Sequence, residues 1–211
     1  MKRSISIFTI LTISLAISSC QEDDQTPITI RYLNESIKPY KFMTGSYWIF
    51  INDTSGIEDS ILVTSTVNDF YVSAAGINAK SSIKEEFFQI NLKNFSTSNI
   101  YNDYLTISYI KRNGGGFYGQ NGQPIYIAES DTGTEFNGMT IIAKYSTFTI
   151  NSNTFNNVVA TKITASQQYQ PMFSNDTYLY FCDSIGLIKK VTILGSGNVE
   201  SWSVLRWSVI K

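Results

Sequence analysis

The chain has 211 residues, with 16 basic and 17 acidic side chains and no histidine, so its formal net charge is −1. Without histidine, the Ser-His-Asp and Cys-His mechanisms, His-ligated zinc sites and the non-haem iron facial triad are all excluded. The sequence holds no basic block, which argues against nucleic acid as a partner.

The first element in chain order is an export signal. Lys2 and Arg3 form a positive start, residues 5–17 are an apolar run broken only by Ser and Thr, and small residues precede Cys20. This charged, apolar, small order is that of a secretory signal peptide. The apolar run has 13 residues, whereas a helix that spans a bilayer needs about 20. The segment therefore predicts export and not a permanent anchor.

The end of this signal, Ile17-Ser18-Ser19-Cys20, resembles the lipobox of bacterial lipoproteins. The resemblance implies cleavage before Cys20, a diacylglycerol on its thiol and an acylated amine. The alternative is an ordinary signal peptide with a chance Cys. Removal of residues 1–19 takes away Lys2 and Arg3 and leaves 192 residues, with 14 basic and 17 acidic side chains and a net charge of −3. This charge does not attract anionic lipid, so we expect the acyl chains to be the membrane link.

Residues 20–27 form the predicted lipidated Cys and acidic tether. Glu22, Asp23 and Asp24 follow the Cys closely, and they resemble the acidic signal that sends some Gram-negative lipoproteins to the outer face of the outer membrane. A plain solvated linker is the alternative. The resemblance implies an outer-membrane protein that is lipid-anchored and faces the cell exterior.

Residues 28–211 are predicted to be a single β domain. Val, Ile, Thr, Tyr and Phe dominate this part, and alternating apolar and polar runs recur between turns rich in Asn, Gly, Ser and Asp. The predicted strands are 28–32, 47–51, 60–67, 88–92, 105–109, 125–128, 140–145, 148–150, 157–164, 178–182, 187–194 and 202–210.

Helix signals are weak. Ser82 and Glu85 have the spacing of a capping box, but the β-rich sequence that follows favours a single turn there. Because no crossover helices support parallel pairing, the sequence predicts an all-β fold with a single antiparallel sheet, curved or barrel-like. The alternative is a two-sheet β-sandwich.

The glycine-rich stretch Gly114–Gly119 satisfies G-x-G-x-x-G. A dinucleotide site needs this loop to open a helix, and Gln120–Pro124 cannot do so. We therefore predict a long hairpin loop with Phe117 and Tyr118 at its tip, where both are candidate ligand contacts.

Two tryptophans are the other candidate ligand contacts. Trp202 and Trp207 are five residues apart, so a regular strand places them on opposite faces. Core packing is the usual role of a strand tryptophan, but with one side chain in the core the other is expected to be exposed. A sugar-stacking platform is the alternative role.

The remaining reactive groups do not form a catalytic set. Cys182 has no partner if Cys20 is lipidated, and its position in an apolar run predicts a buried small hydrophobe. The adjacent acids Glu85-Glu86 and Glu58-Asp59 point to opposite faces of a strand, which is the arrangement of surface charges. No cofactor and no metal site are predicted.

A broader resemblance covers most of the mature chain. Gly45–Phe50, preceded by Pro39-Tyr40 and followed by Asp59–Ile61, looks like the opening of small outer-membrane lipoproteins of unknown function. Later similar features are Phe155–Val158, a turn at Gly186–Lys189 and a terminal strand with Trp. The sequences around Ser60 and Ser184 also resemble an O-glycosylation acceptor, although plain turn residues are the favoured interpretation.

Together these features predict a lipid-anchored outer-membrane or surface lipoprotein whose non-catalytic β-scaffold binds a glycan, a lipid or a protein partner. It is not predicted to be an enzyme. The alternative is a small carboxylate-dependent glycan hydrolase or a glycan-binding module.

Overall fold

The computed structural model describes residues 27–74, 82–94, 104–108, 116–118, 124–127, 130–164 and 175–211. Within these ranges, none of the helical segments has the length and apolarity to cross a membrane. The elements in chain order are β1 (Ile28–Arg31), a 3₁₀ turn (Lys38–Tyr40), β2 (Tyr47–Asn52), β3 (Glu58–Ala74), β4 (Ser82–Asn94), β5 (Tyr104–Ser108), β6 (Gly116–Tyr118), β7 (Pro124–Ile127), β8 (Glu135–Phe136), β9 (Met139–Ile150), β10 (Asn153–Ile163), β11 (Asp176–Cys182), β12 (Gly186–Ile193) and β13 (Val199–Ser208).

The 13 strands within the described ranges belong to one sheet, in which all but β1 follow the order β7-β6-β5-β4-β3-β2-β13-β12-β11-β10-β9-β8. Two antiparallel meanders, β2 to β7 and β8 to β13, meet where β13 pairs with β2. At the far side, the Cα atoms of β7 come within 8 Å of those of β9 and β10. The sheet therefore curls into a half-barrel, which confirms the prediction of a single curved sheet.

The first strand departs from the antiparallel pattern. β1 runs parallel to β4, with Ile28 opposite Ser82 and Arg31 opposite Glu85. The chain between β1 and β4 includes the segment 33–42, β2 and β3, which together far exceed the roughly dozen residues that the connection of a parallel pair requires. The sheet is therefore mixed at this one place.

Register shifts explain much of the curl. They occur in β3 between Val63 and Ser65, in the pair β9–β10 where Ile142 of β9 is the extra residue, and in the pairs β11–β12 and β13–β2. A shift of this kind places an extra residue in one strand, which bends that strand and increases its twist. Repeated across the sheet, these bulges close it toward a barrel.

One face of the sheet and a segment that crosses it form the core. The segment 33–42 contributes Leu33, Ile37, Tyr40 and Phe42, all buried, and the Phe42 ring lies edge-on to Trp48 at 4.9 Å between centroids. Full burial of such side chains contributes about 1.5–3 kcal/mol each. Buried side chains from the strands include Phe50, Ile61, Val63, Phe88, Ile90, Met139, Ile141, Leu179, Phe181, Ile188, Trp202 and Val204.

Several element boundaries differ from the prediction. The expected turn around Ser82 is the start of β4, and the two predicted runs 140–145 and 148–150 are one strand, β9. β3 continues to Ala74 although Asn68 and Asp69 interrupt its apolar pattern. Its partner β4 pairs with it along this whole extension, so ladder hydrogen bonds override the local turn preference of these two residues. The predicted strand 187–194 is confirmed as β12, which begins one residue earlier, at Gly186.

Candidate functional site

Two adjoining grooves on the surface share two lining residues, Asn157 and Asp183. The first encloses about 420 Å³ and the second about 380 Å³. We call them together the Asn157–Asp183 double groove. The first is also lined by Ser36, Pro39, Ser130, Ile141, Lys144, Tyr145, Ser146, Val158 and Val159, and the second by Asn153, Thr154, Phe155, Asn156, Cys182, Ile185 and Trp207.

Asn157 is placed at the groove by an irregular backbone. Its φ is +52°, a left-handed conformation that Asn tolerates better than most residues. The ladder between β9 and β10 pairs Asn156 with Thr147 and Val158 with Tyr145, so Asn157 falls between them. This local distortion places a polar residue at the shared wall of the two grooves, in a hairpin whose register shifts only further along, between Ala160 and Thr161.

Asp183 lies in the turn between β11 and β12, and two core aromatic residues hold this turn from below. The Tyr40 hydroxyl donates to Asp183 Oδ1 at 2.7 Å, and Trp48 Nε1 donates to the Ile185 carbonyl at 2.7 Å. The turn ends at Gly186, whose φ is +93°. A hydrogen bond of this type contributes about 1 kcal/mol, so the carboxylate is held in place before any ligand arrives.

Aromatic side chains border both grooves. Trp207 lines the second groove and packs on Phe155 at 5.4 Å between ring centroids. Tyr145 lines the first groove and begins a row of rings, with Phe148 at 5.1 Å from it and Tyr180 stacked on Phe148 at 5.0 Å. Burial raises the pKa of Tyr180, so this phenol stays neutral.

The double groove carries little net charge. Among its lining residues that the structure describes, Lys144 is the only cation and Asp183 the only carboxylate. Lys144 Nζ lies 3.9 Å from the exposed Asp131 Oδ1, a loose surface pair that contributes little. The remaining polar groups are amides and hydroxyls, which both donate and accept hydrogen bonds. This lining suits a neutral polar ligand.

Cys182 is buried, as predicted. It is 4% exposed, and its Sγ donates to the Asn156 carbonyl at 3.3 Å. Burial, with a further contribution from the neighbouring Asp183, raises the pKa of this thiol to about 11. A thiol with so little thiolate is a poor nucleophile, and it serves as a packed wall residue below the second groove.

The prediction that Trp202 and Trp207 point to opposite faces is wrong. Trp202 pairs with Asn52 and Trp207 pairs with Trp48, and these two partners lie on one face of β2. The register shift between Val204 and Arg206 inserts an extra residue, which reverses the alternation that follows. Trp202 is fully in the core, where Nε1 donates to Glu200 Oε1 at 3.0 Å. Of the two, Trp207 alone borders a described groove.

The other predicted site residues have mixed outcomes. Phe117 and Tyr118 belong to β6, which pairs with β5 and β7, so they do not form the tip of a hairpin loop. Pairing on both sides stabilises this short strand although it begins with a glycine, Gly116. Cys20 and the tether acids Glu22, Asp23 and Asp24 lie outside the described residues, and their roles stay predictions.

A second polar cluster has a structural role. Asp53 Oδ2 accepts hydrogen bonds from Ser201 Oγ at 2.5 Å, Ser203 Oγ at 3.0 Å and Lys189 Nζ at 3.1 Å. Partial burial alone would raise the pKa of Asp53, but the bonds from the two serines and the lysine outweigh it and lower the pKa. This carboxylate joins β2, β12 and β13. Within the described ranges, no group of three or more acidic or Cys side chains converges as a metal site would require.

The adjacent acids Glu85 and Glu86 point to opposite faces, as predicted, but the prediction that the adjacent acids are surface charges is wrong for Glu86 and Asp59, which are both buried. Glu85 pairs with Arg31 at 2.6 Å, whereas Glu86 accepts from Lys41 at 2.7 Å and from the Leu33 amide at 2.9 Å. Glu86 therefore fixes the segment that crosses the core face. Neither acid lines the double groove.

Comparison with known proteins adds little to this geometry. No family model matches the chain, and no curated protein matches it. Among solved structures, a candidate lipoprotein from Parabacteroides distasonis is similar over 80% of this chain and 97% of its own chain, with 14% sequence identity and a TM-score of 0.37.

Proposed function

We propose that this chain is an exported lipoprotein, anchored through Cys20 to the outer membrane and facing the cell exterior, whose non-catalytic β-scaffold binds a neutral glycan in the Asn157–Asp183 double groove. The observation that supports binding is the meeting of two grooves at an amide and a carboxylate, with Tyr145 and Trp207 at their borders. Anchoring rests on the lipobox that ends at Cys20.

The chemistry of the grooves matches that of a sugar. Each sugar hydroxyl both donates and accepts, so amide and carboxylate groups such as those of Asn157 and Asp183 satisfy pairs of hydroxyls. Aromatic faces and edges pack against the C–H groups of the ring. Asp183 is already oriented by Tyr40, so less ordering free energy is lost on binding.

The number of acidic side chains in the double groove favours binding over hydrolysis. Glycoside hydrolysis uses two carboxyl groups about 5–9.5 Å apart across the bond that is cut. Of the described residues that line the double groove, Asp183 is the only acid. A glycan-binding module is therefore the better of the two carbohydrate-related interpretations, and we propose that the protein is not an enzyme.

Substitution of Asn157 tests the site. Asn157→Gly removes the carboxamide and keeps a residue that adopts positive φ at no steric cost. On an array of neutral and acidic glycans, we expect the wild type to bind neutral glycans and the variant to bind about tenfold more weakly, because one to two hydrogen bonds are lost.

The matched control is Asn137→Gly. Asn137 also has positive φ, at +47°, but it lies in the β8–β9 turn and lines neither part of the double groove. It should bind like the wild type. Equal binding by the wild type and Asn157→Gly, or release of sugar from the array, would contradict the proposal.

A further inference from the structure

The far end of the β3–β4 hairpin, together with β1, carries an exposed apolar surface. Its members are 36–63% exposed, which is unusual for large apolar side chains that lie side by side. We call this surface the β1 patch, and it consists of Ile28, Ile30, Tyr32, Phe70 and Val72.

Strand pairing makes the patch continuous. Lys84 of β4 lies opposite Ile30 of β1 and also opposite Val72 of β3, so these three residues form one row across three strands. In the next row, the rings of Tyr32 and Phe70 meet edge-on at 5.9 Å between centroids. The two rows therefore form one contiguous apolar surface on one face of the sheet.

Lys84 places a positive charge in the middle of this apolar surface. It is partly exposed and pairs with none of the acids that the structure describes. The neighbouring charges are neutralised, since Arg31 pairs with Glu85 and Lys41 pairs with Glu86. A lysine surrounded by apolar side chains lays its aliphatic stem along them and extends its ammonium group toward an anionic phosphate.

The chain path joins this patch to the proposed lipid. Ile28 follows Cys20 by eight residues, and eight residues span at most about 29 Å when fully extended. β1 therefore stays within about that distance of a bilayer to which Cys20 is attached. Ile57 immediately precedes β3, at the end of that 17-residue strand opposite to the patch.

We propose that the β1 patch rests on the bilayer, with Tyr32 and Phe70 at the interface and Lys84 bound to the phosphates of anionic lipids. This inference rests on the proposed lipid anchor at Cys20. Aromatic rings favour the membrane interface, and an apolar surface with a basic group adds to the binding that acyl chains supply. The domain would therefore have a fixed orientation on the membrane, with the patch facing the lipid.

The test compares two positions of similar exposure in the lipidated full chain. Val72→Cys and Ile57→Cys are each made with Cys182→Ser and carry a nitroxide label; the native side chains are 63% and 60% exposed. In vesicles of phosphatidylethanolamine and phosphatidylglycerol, we expect collision with a water-soluble nickel chelate to be about tenfold lower at 72 than at 57, because a polar reagent is excluded from apolar surroundings. Lys84→Glu should raise the collision rate at 72.

The outcomes distinguish failure of the proposed patch from failure of the proposed anchor. Protein that floats with the vesicles but shows equal collision at both positions overturns the patch and leaves the anchor intact. Protein that does not float overturns both. Spin–spin broadening between labels at 72 in floated protein would show that a second copy, and not lipid, covers the patch.

Discussion

Lys190 is a lysine held within the core face. It is 6% exposed and lies between Leu179 of β11 and Trp202 of β13. Burial lowers the pKa of Lys190 to about 8, although the nearby Glu200 opposes this shift. The desolvated ammonium is therefore a source of pH-dependent stability.

Stability should rise with pH because of Lys190. Its pKa is about 8 in the folded chain against an ordinary lysine pKa of 10.5, so between these values the unfolded chain binds more protons and rising pH favours the folded state. Relative to Lys190→Met, the free energy of unfolding of the wild type should increase by on the order of 3 kcal/mol from pH 8 to 10.5. Urea unfolding followed by tryptophan fluorescence measures it. Parallel curves for the two proteins would contradict this expectation.

Cys182 should be unreactive in the folded protein. In a Cys20→Ala chain, its thiol should react slowly with a thiol reagent under native conditions and rapidly in urea, because the pKa of about 11 leaves little thiolate. Cys182→Ser should lower the free energy of unfolding by about 1 kcal/mol, since burial disfavours the hydroxyl while the Asn156 carbonyl offers it an acceptor. Fast native labelling, with an activity that the substitution abolishes, would overturn both this prediction and the proposed non-enzymatic role.

At the scale of one element, the β11–β12 hairpin depends on its glycine. Gly186 has a φ of +93°, and a Cβ there would lie 2.9 Å from the Phe42 ring. The same turn orients Asp183 in the double groove. Gly186 therefore affects the backbone conformation of the turn, the packing of the core and the orientation of Asp183 in the proposed site.

Gly186→Ala should destabilise the protein by about 2–4 kcal/mol, because positive φ and a steric clash with Phe42 add together. Gly197→Ala is the control: its φ is +82°, and nothing lies within 4 Å of the added Cβ, so only the conformational term of about 1–2 kcal/mol remains. Thermal unfolding of both variants measures the difference. Equal losses would mean that the Phe42 ring moves aside freely.

Apolar runs and alternation were sufficient to predict most of the strands, such as β2 and β11, and the length of several strands indicated a curved sheet. The prediction from alternation failed where a bulge interrupts the alternation of faces along a strand. Nothing in the composition of Val204–Arg206 marks the bulge that turns Trp207 to the core face, because a bulge is set by pairing with β2. The double groove was missed for a related reason. The only sequence signal of the groove was the pair Asn156-Asn157 inside a β run. The wall that Asn157 shares with Asp183 forms only when β10 pairs with β11, a strand distant in sequence.

At the scale of the whole molecule, the acidic tether is expected to decide display on the cell surface. Replacing Glu22, Asp23 and Asp24 by Ala in a Gram-negative host should keep fatty-acid labelling and make the protein resistant to protease added to intact cells. Cys20→Ala is the control, because it should lose the label altogether. Unchanged protease sensitivity of the tether variant, or labelling of Cys20→Ala equal to that of the wild type, would contradict the corresponding proposal.

The pairing of β13 with β2 also has a kinetic consequence. β13 is the last of the described strands in chain order, yet it lies in the middle of the sheet and joins the two meanders. Until it is added, β2 and β12 present open edges, and contacts of such long sequence separation form slowly. A chain that emerges from its export channel with the N-terminus first would therefore stay in two unjoined halves until β13 is released. If the chain is exported as we propose, joining of the two meanders would thus wait until residues 199–208 have been released.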